Sequence, residues 1–450
     1  MNKVQNIPQG YKETVLGIIP QEWEIKRLKT IATPIKTFSY SRDKLSDNVH
    51  TLTYIHYGDI HKSGEKYNVR LDTDRLPYLI DGMISDSEIN EIDFPKLQSG
   101  DILLPDASED YDGIGHAWEL LNIGQQKVIG GLHTIAIRPN PKFVLLGYGS
   151  LMFYSWPVSK ALKRIAQGTK VYSINFNLIN KVRILLPPLA EQRKIAAILN
   201  TWDKAIEKQM QLVEKLELRK KGLMQQLLTG KKRLPGFSRE WKKVKLGDAA
   251  IFLSANSFSR EQLNSVKGNI LNIHYGDVLV RYSSVLDASK EDIPYINEQI
   301  GYSPKDYVNN GDVIMADTAE DEMVGRCCEV INIDNIKVVS GLHTILIHPI
   351  IKFTPKYLGY YLNSERYHKQ IISIMQGIKV YSITKDALKN TIIDIPCIEE
   401  QAAIANILSL CDHEILLAKQ KLSKYQWQRK GLMQVLLTGK RRITNNYGKY

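Results

Sequence analysis

The 450 residues carry 60 Lys and Arg against 48 Asp and Glu, a net charge of +12 and a pI near 9.2, with 43% hydrophobic and 24% charged content. That length allows two or more domains with real cores, and the balance excludes a largely disordered chain. No apolar run reaches membrane-spanning length, while the basic surplus favours a polyanionic partner without requiring one. The polar start MNKVQNIPQGYKET is not a signal peptide, so a cytoplasmic protein with no membrane partner is expected. Cys327, Cys328, Cys397 and Cys411 form no CxxC pair and read as reduced, partly buried thiols.

Taken in order, the chain repeats itself. Glu22-Trp23 recurs as Glu240-Trp241, and Ile55-His56-Tyr57-Gly58-Asp59 as Ile273-His274-Tyr275-Gly276-Asp277. Ser99-Gly100-Asp101-Ile102 answers to Asn310-Gly311-Asp312-Val313, and Gly131-Leu132-His133-Thr134-Ile135 to Gly341-Leu342-His343-Thr344-Ile345. Gln167-Gly168-Thr169-Lys170-Val171-Tyr172-Ser173-Ile174 returns as Gln376-Gly377-Ile378-Lys379-Val380-Tyr381-Ser382-Ile383. The order is kept throughout, which makes the chain two tandem units. Apolar runs at 101–104, 133–137, 312–315 and 343–347, bounded by Gly or Pro, predict strands. Helix-like spacing predicts helices over 151–167 and 356–376, so each globular part is mixed α/β.

A long helix closes each unit. Residues 191–233 and 400–442 align without a gap, Glu191 answering Glu400 and Arg233 answering Arg442. Pro187, Pro188 and Pro396 end what precedes, the two Glu sit at the positive end, and basic residues crowd the negative end beside Gly230 and Gly439. Positions 195, 199, 202, 206, 209, 213, 216, 220, 223 and 227 step by fours and threes; they are apolar except Gln209 and Lys220. Their counterparts, 404 through 436, are apolar except Arg429. This is a coiled-coil seam, and the economical partner of each helix is the other copy. The predicted helix runs from about 191 to 229 and spans about 60 Å at ~1.5 Å per residue. The boundaries are 1–186, 187–234, 235–395 and 396–450, with a polar tail at the end.

Catalytic signatures are missing from the sequence. It contains no Asn-Pro-Pro-aromatic motif, no GxGxxG opening a helix and no phosphate-binding loop before Lys231 or Lys440. Pro105-Asp106 begins no complete nuclease motif, and its counterpart is Ala316-Asp317. An intrinsic enzymatic activity is not expected.

Pro-Pro-x-x-Glu-Gln, a long helix and GLMQQLLTGK, repeated after a second divergent globular part, resemble the DNA-specificity subunit of type I restriction-modification enzymes over nearly the whole chain. The resemblance implies two α+β target-recognition domains, each reading one half of a bipartite site in double-stranded DNA. It implies that the helices form an antiparallel coiled coil with pseudo-two-fold symmetry, setting the spacing and docking two modification (methyltransferase) subunits, which restriction subunits join. S-adenosylmethionine, ATP and Mg2+ then belong to the partners, as does flipping of the adenine to be methylated. The competing reading is a coiled-coil scaffold, or a decayed subunit, without DNA specificity.

If the two domains read different half-sites, residues identical in both cannot tell bases apart and belong to scaffold or phosphate contacts. Lys170 and Tyr172, with Lys379 and Tyr381, flank a glycine turn from which Lys reaches a phosphate and Tyr stacks or donates. His56, Tyr57 and Asp59, with His274, Tyr275 and Asp277, are expected in a polar loop turned by Gly58 or Gly276; too few ligands are present for a metal. His133 and His343 read as core or hinge histidines at strand starts. Base readers are expected within 60–96, 106–127, 278–305 and 317–337, with Arg70, Arg75, Arg281 and Arg326 as bidentate guanine ligands.

Overall fold

The computed structural model describes residues 7–62, 66–300, 302 and 304–443. The chain forms two compact units, one of residues up to 208 together with those from 422, the other of residues 209–421. Residues 1–6 of the polar start, 444–450 of the polar tail, and residues 63–65, 301 and 303 of the expected base-reading segments lie outside the described residues.

In the first unit a five-stranded sheet has the order Ala32–Ile35, Thr134–Pro139, Ile102–Pro105, Trp118–Leu121, Asn68–Arg70. The middle strand Ile102–Pro105 is buried at all four positions, which is why its sequence, ILLP, is a continuous apolar run rather than an alternating one. Beside it lies a four-stranded sheet of Lys127–Gly130, Leu52–Ile55, Tyr78–Leu79 and Leu45–Ser46, whose first pair is parallel. The second unit repeats both sheets: Ala250–Leu253, Thr344–Pro349, Val313–Ala316, Cys327–Ile331, Val285–Asp287, and Leu263–Asn264, Tyr295–Ile296, Leu271–Ile273, Val338–Ser340. The expected mixed α/β class holds, and all four predicted strands are present.

The two predicted medial helices are each broken in two. Trp156–Ile165 starts afresh after Ser155 with a proline in its first turn, and Glu365–Ile374 starts after Ser364, whose hydroxyl accepts the Tyr367 N–H. A serine N-cap outcompetes helix continuation at Ser364, while at Ser155 the break is set by extended backbone before the proline of the new first turn. Each break follows a buried carboxylate clamp. Glu119 accepts the Gly147 and Ser150 amides at 2.6 and 3.2 Å, and Glu329 accepts those of Lys356 and Gly359. Burial pushes both carboxyls up to about 7 against the pull of those amides.

The long helices run from Leu189 to Leu227 and from Ile398 to Leu437, starting two residues before the predicted Glu191 and Glu400. None of the twenty predicted seam positions is exposed. In the first unit the pairing is carried by Ile195 and Leu199, which share a core with Met433, Leu436 and Leu437, and by Trp202 edge-on to Tyr425 at 5.8 Å. In the second unit Gln209 donates to the Ala418 carbonyl at 3.0 Å, and Lys220 pairs with Asp412 at 2.5 Å. In the first unit Glu191 meets Arg442 and Asp203 meets Arg429, and in the second Glu217 meets Lys419 and Lys220 meets Asp412, so numbering rises along one helix as it falls along the other and each pairing is antiparallel.

The polar seam positions Lys220 and Arg429 are thereby explained. Arg429, 1% exposed, bonds Asp203 at 2.5 and 3.1 Å and lies over the Tyr67 ring at 4.0 Å. Lys220 does the same with Asp412 and, at 5.3 Å, with Tyr360. Each helix start is clasped as well: Glu191 accepts the Trp23 indole N–H at 2.9 Å and Arg442 at 3.0 Å, and Glu400 accepts Trp241 at 3.0 Å and Arg233 at 2.6 Å. That clasp accounts for the repeated tryptophan and for the glutamate that opens each long helix.

Candidate nucleic-acid interface

Three repeated motifs that are far apart in sequence meet at one place in each unit. In the first unit the Tyr57 N–H donates to the Leu132 carbonyl at 3.3 Å, the Asp106 N–H to the His133 carbonyl at 3.0 Å, and the Ile174 N–H to the Asp106 carbonyl at 2.8 Å. The second unit repeats the chain of bonds, Tyr275 to Leu342 at 3.3 Å, Asp317 to His343 at 3.1 Å and Ile383 to Asp317 at 2.9 Å. Backbone bonds of this kind do not depend on the side chains that differ between the units. They carry a shared frame.

The expected polar loop at His56 is instead the start of a short helix, Tyr57–Lys62, matched by Tyr275–Val280. His56 and His274 act as caps, each accepting the N–H two residues on through Nδ1, at 3.1 and 3.2 Å. An accepting nitrogen must be unprotonated, and burial lowers both imidazoles from their ordinary value. Asp59 closes the cap by accepting the His56 N–H at 3.1 Å. These histidines hold the helix start and leave Tyr57 and Tyr275, half-buried, at the edge of the frame.

The two aspartates are held by arginines that lie outside the repeated motifs. Arg42 bonds Asp59 at 2.6 Å, and Arg260 bonds Asp277 with two contacts of 2.6 Å. Both arginines remain about half exposed while the carboxylates are 10% and 3% exposed. The pairing cancels negative charge that would repel a phosphate and leaves guanidinium surface outside. The signal was available: Ser39, Ser41 and Arg42 recur as Ser257, Ser259 and Arg260 at the spacing that relates Ile55 to Ile273.

The glycine turn is required by its geometry. Gly168 and Gly377 have φ of 119° and 127°, and a Cβ would fall 2.0 and 1.9 Å from the carbonyl oxygens of Val171 and Val380. Tyr172-Ser173 and Tyr381-Ser382 then pair with Ala107-Ser108 and Thr318-Ala319. This leaves Lys170 and Lys379 exposed at the turn and the tyrosines half-buried.

His133 and His343 depart from the expected core role. Each sits at positive φ, 54° and 53°, with its side chain about half exposed and Nδ1 against Asp106 or Asp317 at 3.0 and 3.4 Å. Tyr57 and Tyr275 meet these rings edge-on at 5.4 Å.

Around this frame the units diverge. In the first, a cavity of about 1150 Å³ is lined by Arg42, Lys62, Lys66, Arg75, Tyr78 and Trp118, among others. Arg75 is exposed there; Arg70 is exposed too, its Nε 3.7 Å from Asp72. Arg281 lies beside Asp292 at 3.3 Å. Arg326 differs from the other three, because its guanidinium donates to the Leu279 and Tyr282 carbonyls and caps the end of the Tyr275–Val280 helix. Among the described residues no group of three or more His, Cys, Asp or Glu is arranged to hold a metal, and no helix is long and apolar enough to cross a membrane.

The sequence matches the type I restriction modification DNA specificity domain twice, over residues 20–218 and 238–424. A Methanocaldococcus jannaschii protein assigned as the type I restriction enzyme MjaX specificity subunit is 25% identical over 97% of both chains. The type I restriction enzyme MjaVIII specificity subunit of the same organism is 27% identical over 65% of this chain and 70% of its own. A solved structure concerned with complex assembly and conformational transition of the type I restriction-modification system contains a chain of similar fold. Its TM-score is 0.55 and its identity 18%, covering 94% of this chain and 99% of that one. With two copies of the specificity domain on two repeated α+β units, the chain belongs to the DNA specificity subunit family of type I restriction-modification systems.

Proposed function

We propose that each unit binds one half of a bipartite site in double-stranded DNA, holding the backbone with the shared frame and reading bases with the segments that differ. The observation that carries this is the convergence of the same three motifs, through the same hydrogen bonds, in two units whose flanking segments have diverged. A reader of two different half-sites needs one way of gripping phosphates and two ways of recognising bases. Lys170, Tyr172, Arg42 and their counterparts Lys379, Tyr381 and Arg260 make the grip; Arg70, Arg75 and Arg281 belong to the readers.

The chain itself performs no chemistry in this reading. Two modification subunits carry S-adenosylmethionine and methylate adenine, restriction subunits bring ATP and Mg2+, and the long helices space the half-sites and dock the modification subunits. Exposed Leu218, Leu410, Leu416, Leu417 and Trp427 on those helices support the docking role. Methylome sequencing of a host carrying this chain with its modification subunit, against the same host lacking this chain, tests the proposal. The expected result is a bipartite methyl-adenine motif that disappears on deletion. An active modification subunit with no lost motif favours a scaffold or decayed subunit.

A further inference from the structure

His133 and His343 stand out among the residues of the frame because nothing in the fold requires a histidine there. The backbone at φ 54° and 53° is one that Gly, Asn, Asp and His all adopt, so it does not by itself select histidine. Neither ring fills a core, since each side chain is about half exposed. Both are nonetheless oriented from two sides. Asp106 bonds His133 Nδ1 at 3.0 Å, whereas His343 Nδ1 meets the Thr318 hydroxyl at 3.4 Å with Asp317 at the same distance behind it, and Tyr57 and Tyr275 stand edge-on at 5.4 Å. Each unit therefore places a carboxylate beside Nδ1, directly in the first and through Thr318 in the second.

A carboxylate only accepts, so His133 Nδ1 carries a proton toward Asp106; the Thr318 hydroxyl donates its proton to Asp317 at 2.7 Å and so accepts from His343 Nδ1. Nε2 is then the ring nitrogen left to meet a ligand. In the neutral ring Nε2 accepts; to donate to an anion the ring must take up a second proton. The other titratable groups on this side of the first unit include the Arg42–Asp59 pair, Lys62, His61 edge-on to Tyr57 at 6.1 Å, and the buried, unprotonated His56 against Tyr57 at 4.5 Å. In the second unit they are Arg260–Asp277 and His274.

We propose that His133 and His343 are phosphate ligands, each binding a DNA backbone phosphate through Nε2 as an imidazolium pinned by its aspartate. The proposal rests on the DNA-binding reading above and adds a proton to it. Each contact takes up a proton on binding wherever the free ring is neutral, so affinity falls as pH rises. Because the phosphate carries no base identity, the effect is the same for any sequence.

The test measures duplex binding by fluorescence anisotropy for the full chain with its modification subunits, between 50 and 200 mM KCl and at pH 6, 7 and 8. The probes are a duplex carrying the motif found by methylome sequencing and a scrambled duplex. His133→Asn with His343→Asn keeps a residue tolerant of positive φ. For this variant the log–log salt slope at pH 6 drops by about 1.8, at ~0.9 per phosphate, and the fall in affinity from pH 6 to pH 8 flattens for both duplexes. Asp106→Asn with Asp317→Asn retains a partner for Nδ1 without its charge, and shifts the pH profile to lower pH while preserving the slope at pH 6. An unchanged slope and pH profile in the Asn variants, with target binding intact, overturns the histidine assignment. If the histidine variants do not fold, an unshifted profile in the aspartate variants overturns it. Failure of the wild-type assembly to prefer the target duplex is a different result, and removes the DNA-specificity reading itself.

Discussion

The frame and its flanks follow different rules in the two units. In the frame, Tyr57, Asp106, His133 and Ile174 are tied by the same backbone bonds as Tyr275, Asp317, His343 and Ile383, to within 0.1 Å. In the flanks, His61 and His116 stand where the second unit has Leu279 and Arg326. There Arg326 caps a helix, whereas His61 Nε2 meets the Ala107 carbonyl at 2.9 Å. The cavity around Arg75 belongs to the first unit's own sequence. Divergence that leaves a frame untouched is what two readers with one grip require, whereas two copies of a scaffold would have no reason to hold exposed Lys, Arg and His in register.

The helix seam offers the largest break of that symmetry. Arg429 is fully buried, but Lys220 keeps 15% of its side chain in solvent and has a flexible stem. Asp203→Ala strands Arg429 without its counterion and is expected to cost about 3–5 kcal/mol in urea denaturation. Asp412→Ala, which also releases the Tyr360 hydroxyl, is expected to cost less, about 1–3 kcal/mol. Equal losses would mean that the two seam pairs are interchangeable.

The carboxylate clamps behave alike in both units, and their pH dependence has a definite sign. Glu119 and Glu329 titrate near 7 when folded and near their ordinary value of 4.5 when unfolded, so the folded chain holds protons that the unfolded chain releases. Their contribution is present below pH 4.5 and is lost as pH rises to about 7, by ~3 kcal/mol or less each. The stability difference between wild type and Glu119→Gln, followed by thermal melts, should therefore shrink over that window. A difference that grows with pH would show that the amides hold an ionised carboxylate.

Arg75→Ala and Lys170→Ala sharpen the division between reading and gripping. The first is expected to relax one position of one half-site, losing about 1–3 kcal/mol of discrimination in anisotropy with base-substituted duplexes. The second should weaken every sequence a few-fold and lower the salt slope by about 0.9.

Much of this organisation was legible in the sequence because it is local or duplicated. The helices announced themselves through period, proline stops and charged ends, and a second copy confirmed each position. The meeting of the motifs was not legible: Tyr57 and Leu132 are far apart in sequence and are brought together only by strand order, which no local pattern encodes. His56 was misread for a chemical reason. Gly58 suggested a turn, and an imidazole that accepts an N–H as a helix cap has no strong sequence signature. Arg42 and Arg260 were within reach, since the offset that found His56 and His274 also relates them.

The claim that shared residues hold DNA without reading it is tested most directly by methylome sequencing of a host carrying Lys170→Ala and Lys379→Ala in this chain. The account predicts the wild-type bipartite motif, unchanged in every specified base, with a smaller fraction of its sites methylated. A motif relaxed or altered at any base would contradict it, because the shared turn would then be reading sequence.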